Sequence, residues 1–175
     1  MLKNLLRSRP AAFDGDALYA LAVAQARRPD FYTRLCVEDR IDARFELYTL
    51  HVLLLVLRLR DDGDRGGEAA QVLFDTYVSA LDNTLRELGV GDVSVGKKMR
   101  KLGESLYGRM TAYEAPLRAG DEAALAAGLA RNVYGHDDAA AATALARYAL
   151  ASRTNLAGQE FRTVIRQPEW AEISA

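Results

Sequence analysis

Residues 43–60 read ARFELYTLHVLLLVLRLR. Phe45, Leu47, Leu50, Leu53, Leu54 and Leu57 fall on no single stripe, so the segment is apolar nearly all round. A helix with apolar residues on every side belongs at the centre of a domain, not on its surface. The unbroken apolar run from Val52 to Leu57 lies between His51 and Arg58. It is far shorter than the ~20 residues that a membrane-spanning helix needs. The fold class expected from this segment is all-α, with helices packed around one central hydrophobic helix.

The flanking sequence carries helical periodicity. Leu18, Leu21, Ala22 and Gln25 keep three-to-four spacing over 16–28, and Pro29 closes that helix. A short helix over 30–37 carries Phe31, Tyr32 and Leu35, and Asp39 or Asp42 can cap the central helix. Glycine and charge density mark Asp61–Gly67 as a loop. An amphipathic helix follows over 68–88, with Val72, Leu73, Tyr77, Leu81 and Leu85 on its apolar face. Gly89 and Gly91 stop it. Asp92 or Ser94 then caps a long helix through Arg118. Asp121 caps one to about Tyr134, and Asp137 or Asp138 opens an alanine-rich one to about Leu156. The tail around Gln167–Trp170 reads as extended. No alternating strand pattern and no internal repeat is present. The expected architecture is a single domain, residues 1–175, of about seven helices.

Composition narrows the function classes. The chain has 175 residues, 50% of them hydrophobic and 27% charged, with 23 Lys+Arg against 24 Asp+Glu. That is globular composition, and a net charge of -1 excludes a generally basic nucleic-acid coat. The one cysteine, Cys36, has no internal partner for a disulfide, which fits a reducing compartment. Residues 1–9 hold basic residues and three leucines but no secretory apolar core. They read as a frayed first turn or a short amphipathic foot on a membrane.

Catalytic signatures are lacking. Neither His51 nor His136 follows a glutamate by three residues, as a di-iron bundle would require. Two histidines and one cysteine make a poor zinc set. His51, on the central helix, is expected to be packed and hydrogen-bonded. Ser94 lacks the glycine and the strand of a nucleophile elbow. Residues 91–98, GDVSVGKK, fit the first seven positions of a phosphate-binding loop. Lys98 stands where that loop needs Ser or Thr for magnesium, and a helix rather than a strand precedes it. No cofactor and no enzymatic activity is expected.

Lys97, Lys98, Arg100 and Lys101 put four positive charges within five residues, and Arg109 roughly extends the stripe. Such a patch suits phosphate, anionic lipid headgroups or RNA backbone. It equally suits a solvated face balanced by Glu87, Asp92 and Glu104. On the preceding helix Asp75 and Asp82 share a face, and Asp82 can pair with Arg86 four residues on.

The sequence around these residues resembles the ubiquinol–cytochrome c chaperone family. The resemblance rests on Ala24–Arg27 with Phe31–Tyr32, and on Asp42-Ala43-Arg44-Phe45-Glu46 leading to Leu50-His51. It continues through Leu85-Arg86-Glu87-Leu88-Gly89-Val90-Gly91-Asp92, Val95–Met99, Tyr107-Gly108-Arg109 and Ala130–Gly135. It spans about residues 18–135. Ala43 stands where the family has glycine, a change that a helix tolerates. The resemblance implies an all-α, non-enzymatic assembly chaperone for respiratory complex III. Its client would be newly made cytochrome b or another complex III subunit. A ribosome or an anionic membrane surface would be a further contact. The absence of a presequence-like start leads us to expect a bacterial member, cytoplasmic and peripheral to the inner membrane. A client of this kind is apolar, and Tyr107, Met110 and Tyr113, spaced three apart, are the candidate wall of its binding surface or else part of the core. The alternative function is a helical lipid- or quinone-binding protein. A nucleotide-binding enzyme built on residues 91–98 is the third reading.

Overall fold

The computed structural model describes residues 13–87 and 92–174. Expectations placed on residues 1–12, on the Gly89/Gly91 turn and on the Asp92 side chain lie outside the described residues. Among those described there is no strand. The α-helices are α1 (Gly15–Ala26), α2 (Asp30–Thr33), α3 (Ile41–Arg60), α4 (Gly63–Glu87), α5 (Asp92–Ala119), α6 (Glu122–Leu129), α7 (Thr143–Ala157) and α8 (Phe161–Val164). A π-helical turn, Ala130–Tyr134, follows α6, and a 3-10 turn, Ala139–Ala142, precedes α7.

Helix α3 is the axis of the molecule. Every residue from Glu46 to Leu59 except Tyr48 is buried. Helices α1, α4 and α7 pack around it, with Leu18 and Ala22, Leu73 and Tyr77, and Leu145, Tyr148 and Ala149 all buried. The caps follow side-chain chemistry. Asp14 accepts from the Ala17 amide at 3.0 Å, Asp121 from Ala124 at 2.9 Å and Asp138 from Ala140 at 3.0 Å. Each satisfies an N–H that its helix leaves unpaired.

Four local expectations are corrected. The stretch Asp61–Gly67 is not a loop. Only Asp61 and Asp62 separate α3 from α4, and Gly63 turns the chain at φ 65. Neither Asp39 nor Asp42 caps α3. The N-cap is Arg40, without a side-chain bond, because Asp39 is engaged by Arg44 at 2.5 and 2.9 Å. The short helix ends at Thr33 instead of Val37. Ser94 lies within α5, two residues past its start, so it caps nothing, and residues 92–98 are helical where a phosphate-binding loop would be open.

Beyond Tyr77 no described residue of α4 is buried, and Val95 is the only one of α5 before Leu106. The two helices therefore leave the core together as an antiparallel pair. Past Leu106, α5 returns to the core, where Tyr113 and Leu117 are buried and α6 packs beside it.

Candidate functional site

Two concavities, one of them extended by an adjoining hollow, flank the α4–α5 pair. The larger, about 960 Å³, is walled by α1, the first half of α3, the outer half of α4, α5 and the π turn. Its floor is apolar: Val23, Phe45, Leu81, Leu85 and Leu102. Four arginines stand on it, namely Arg27, Arg44, Arg109 and Arg131. A second hollow of about 640 Å³ shares Leu85 and Leu102 with it and continues it toward Lys98 and Lys101. On the other side of α5 lies an apolar notch of about 270 Å³ between Phe74, Val78, Met99, Leu106, Tyr107 and Met110.

The arginines of the large groove are not equivalent. Arg109 reaches across from α5 to α3, where its Nε donates to both carboxylate oxygens of Glu46, at 2.8 and 2.7 Å, and its Nη2 also meets Glu46. Glu46 is buried, and a buried carboxylate needs a counter-charge. Burial pushes the Glu46 carboxyl up and the Arg109 guanidinium pulls it back, while the pairing raises Arg109 itself. Arg44 is held by Asp39. Arg27 donates through Nε to the Tyr48 hydroxyl at 2.7 Å and lies 5.5 Å from that ring's centroid, so its terminal nitrogens stay free. Among the described residues Arg27 and Arg131 enter no ion pair.

Lys97, Lys98, Arg100 and Lys101 are exposed on the outer half of α5. Arg109 does not extend their stripe. Eight residues on from Lys101 is about 80° round a helix, which turns Arg109 off that face toward Glu46. Tyr107, Met110 and Tyr113 likewise do not share one surface. Steps of three residues drift about 60° each, so Tyr107 is 75% exposed, Met110 half-buried and Tyr113 fully buried. Tyr113 is a core residue whose hydroxyl accepts from the Asn132 side chain at 2.9 Å, and burial raises its pKa. Asp82 accepts from Arg86 at 2.7 Å, and Asp75 accepts from Gln71 at 2.8 Å. Phe45 is half-buried on the groove floor, and Arg44 is exposed at its edge. Sequence reasoning gave Arg27 and Arg131 no role in a site. They are far apart in the chain, and the π turn, packed against α3, brings Arg131 to the groove that Arg27 also lines.

His51 is buried at the centre. A carbonyl can only accept, so Nδ1 donates to the Leu47 oxygen at 2.7 Å and Nε2 accepts from the Tyr148 hydroxyl at 2.8 Å. The Gln25 amide donates to the same hydroxyl at 3.0 Å. Burial holds the His51 pKa down at about 4, and the imidazole is neutral and fully partnered. No group of three or more metal-ligating side chains gathers among the described residues. No described helix is long and apolar enough to cross a membrane.

The sequence profile described as ubiquinol–cytochrome C chaperone matches residues 33–170. The chain belongs to the ubiquinol–cytochrome c chaperone family. The match starts after Ala24–Arg27 and Phe31–Tyr32, and it reaches past residue 135 into the tail. The chain is 33% identical to the Cbp3 homolog from Brucella abortus known from a crystal structure, with a TM-score of 0.80 over 90% of this chain and 88% of that one. It is 22% identical over 116 residues to ubiquinol-cytochrome-c reductase complex assembly factor 1 of Xenopus laevis, across 66% of this chain. The chain spans 58% of the length of that curated relative. The all-α architecture around α3 is thus that of a chaperone family.

Proposed function

We propose that this protein is an assembly chaperone for ubiquinol–cytochrome c reductase, respiratory complex III, and that it receives newly made cytochrome b. The family match over residues 33–170 carries the reading. The Xenopus relative, a ubiquinol-cytochrome-c reductase complex assembly factor, points the same way. The chaperone works by binding and release, without catalysis. Client segments of a membrane protein are apolar, and the notch beside Tyr107 and Met110 offers them an aromatic and thioether surface that adapts to many shapes. Lys97, Lys98, Arg100 and Lys101 project from the same helix and would hold that notch near an anionic bilayer or ribosomal RNA. The protein would act on the cytoplasmic side, peripheral to the inner membrane.

The test is deletion of the gene, followed by reduced-minus-oxidised haem spectra of the membranes. Selective loss of the complex III cytochrome b signal is expected, and an unchanged spectrum overturns the reading. Complementation with a photo-crosslinking residue in place of Tyr107 should restore the signal and capture nascent cytochrome b. Complementation with Lys97, Lys98, Arg100 and Lys101 all changed to Glu should fail, with loss of sedimentation on membranes or ribosomes. Full rescue by that variant removes the role of the basic row.

A further inference from the structure

We propose that the arginine-bearing groove is a binding site for one anionic phospholipid, with its phosphate on Arg27 and Arg131 and an acyl chain along Phe45, Leu81 and Leu85. The inference stands apart from the assembly role, because it rests on the groove alone.

Three observations converge on this occupant. The groove is concave and about 960 Å³, within the roughly 300–1,000 Å³ of small-molecule sites. Its floor is aliphatic and aromatic and makes no demand for hydrogen bonds. Charge is concentrated at its rim. With the Arg109–Glu46 and Arg44–Asp39 pairs set aside, the groove and the adjoining hollow are lined by Arg27, Arg131, Lys98 and Lys101 against Asp42 and Glu104. Four cations against two carboxylates leave a local excess of positive charge in a chain whose net charge is -1.

The chemistry of the rim selects phosphate. Guanidinium presents a planar fork that matches phosphate oxygens, and it is less strongly hydrated than an ammonium. Arg27 is already oriented by the Tyr48 ring and hydroxyl, so little side-chain freedom is lost on binding. Asn132 sits beside Arg131 on the same wall, its Nδ2 held by the Tyr113 hydroxyl. An uncharged quinone would use the floor and leave the arginines idle. An acidic peptide would use the arginines but gain little from the apolar floor.

The test uses the purified full chain, stripped of lipid and titrated with phosphatidylglycerol in native mass spectrometry. One phosphatidylglycerol per chain is expected, with phosphatidylcholine and inorganic phosphate each failing to compete. Arg27→Gln with Arg131→Gln should weaken binding about tenfold or more, the loss expected of charge-assisted hydrogen bonds. Both arginines are exposed, so Trp170 fluorescence should report an unchanged fold. Ala80→Trp, which fills the floor, should abolish binding while leaving the rim charges in place. The proposal is overturned by no retained phospholipid, by equal retention of phosphatidylcholine, by preference for a quinone or an acidic peptide, or by full binding in the double arginine variant. None of these results touches the haem spectra, so failure here and failure of the chaperone reading are separable.

Discussion

His51 shows what a single residue contributes to this molecule. Its neutral ring links Leu47 on its own helix to Tyr148 on α7, and the Trp170 ring meets it edge-on at 5.1 Å between centroids. Folding lowers its pKa from 6.5 to about 4. Between those values the unfolded chain takes up a proton that the folded chain refuses. Stability contributed by His51 is therefore complete above about pH 6.5 and is lost as pH falls toward 4. At pH 5 the loss is on the order of 2 kcal/mol. The urea midpoint should drop between pH 7.5 and pH 5, and His51→Gln should flatten that dependence. Equal slopes in the two proteins would remove His51 as the cause. Its packed role was legible in the sequence from its place on an apolar helix. The inward turn of Arg109 was not, because its partner Glu46 lies 63 residues away and no local pattern announces a pairing over that distance.

At the scale of elements, the α3–α4 corner decides how closely two long helices can approach. A Cβ at Gly66 would sit 1.8 Å from the Leu59 carbonyl oxygen and 2.8 Å from the Asp62 Cβ. Only a residue without a side chain fits there. Its neighbour Gly67 faces open space within the same helix. Adjacent substitutions should therefore have opposite signs. Gly66→Ala should cost about 1–3 kcal/mol or more through backbone displacement. Gly67→Ala should stabilise by about 0.5–1 kcal/mol through helix propensity. Denaturant unfolding of the two variants checks both, and a neutral Gly66→Ala would mean the corner yields. The glycines that make Asp61–Gly67 read as a loop are there for close packing as much as for turning. Glycine count cannot distinguish the two, since both uses need the same missing side chain. The α4–α5 pair illustrates the converse. Its two helices were legible from their periodicity, but neither period reveals that both leave the core beyond Tyr77.

Across the whole molecule, the tail closes the structure. The Gln159 side chain clasps Glu169, donating to its carbonyl at 2.8 Å and accepting from its amide at 3.0 Å. The Ala171 amide donates to Ser152 at 3.2 Å, and Arg34 donates to the Ile173 carbonyl at 3.0 Å. These bonds lay Trp170 and Ile173 over α3 and the α2 corner. Truncation after Gln167 should cost about 3 kcal/mol or more, the burial of those two side chains, and open His51 to water. A lower thermal midpoint by circular dichroism, with helix content retained at low temperature, is the expected result. An unchanged midpoint would show that the tail only rests on the surface. That the family match runs to residue 170 agrees with the tail's place in the fold.

The sequence alone determined the all-α class, the central place of α3 and the family. Those properties follow from periodicity, apolar content and contiguous motifs, all of which are local along the chain. Only the tertiary structure decided which side chains face outward and which close on one another. Tyr113 went to the core and Arg109 to Glu46, because 3.6 residues per turn carries even closely spaced positions onto different faces. The groove belongs to the same class of facts. Its walls come from five elements scattered from residue 19 to residue 132, and packing alone makes them one surface.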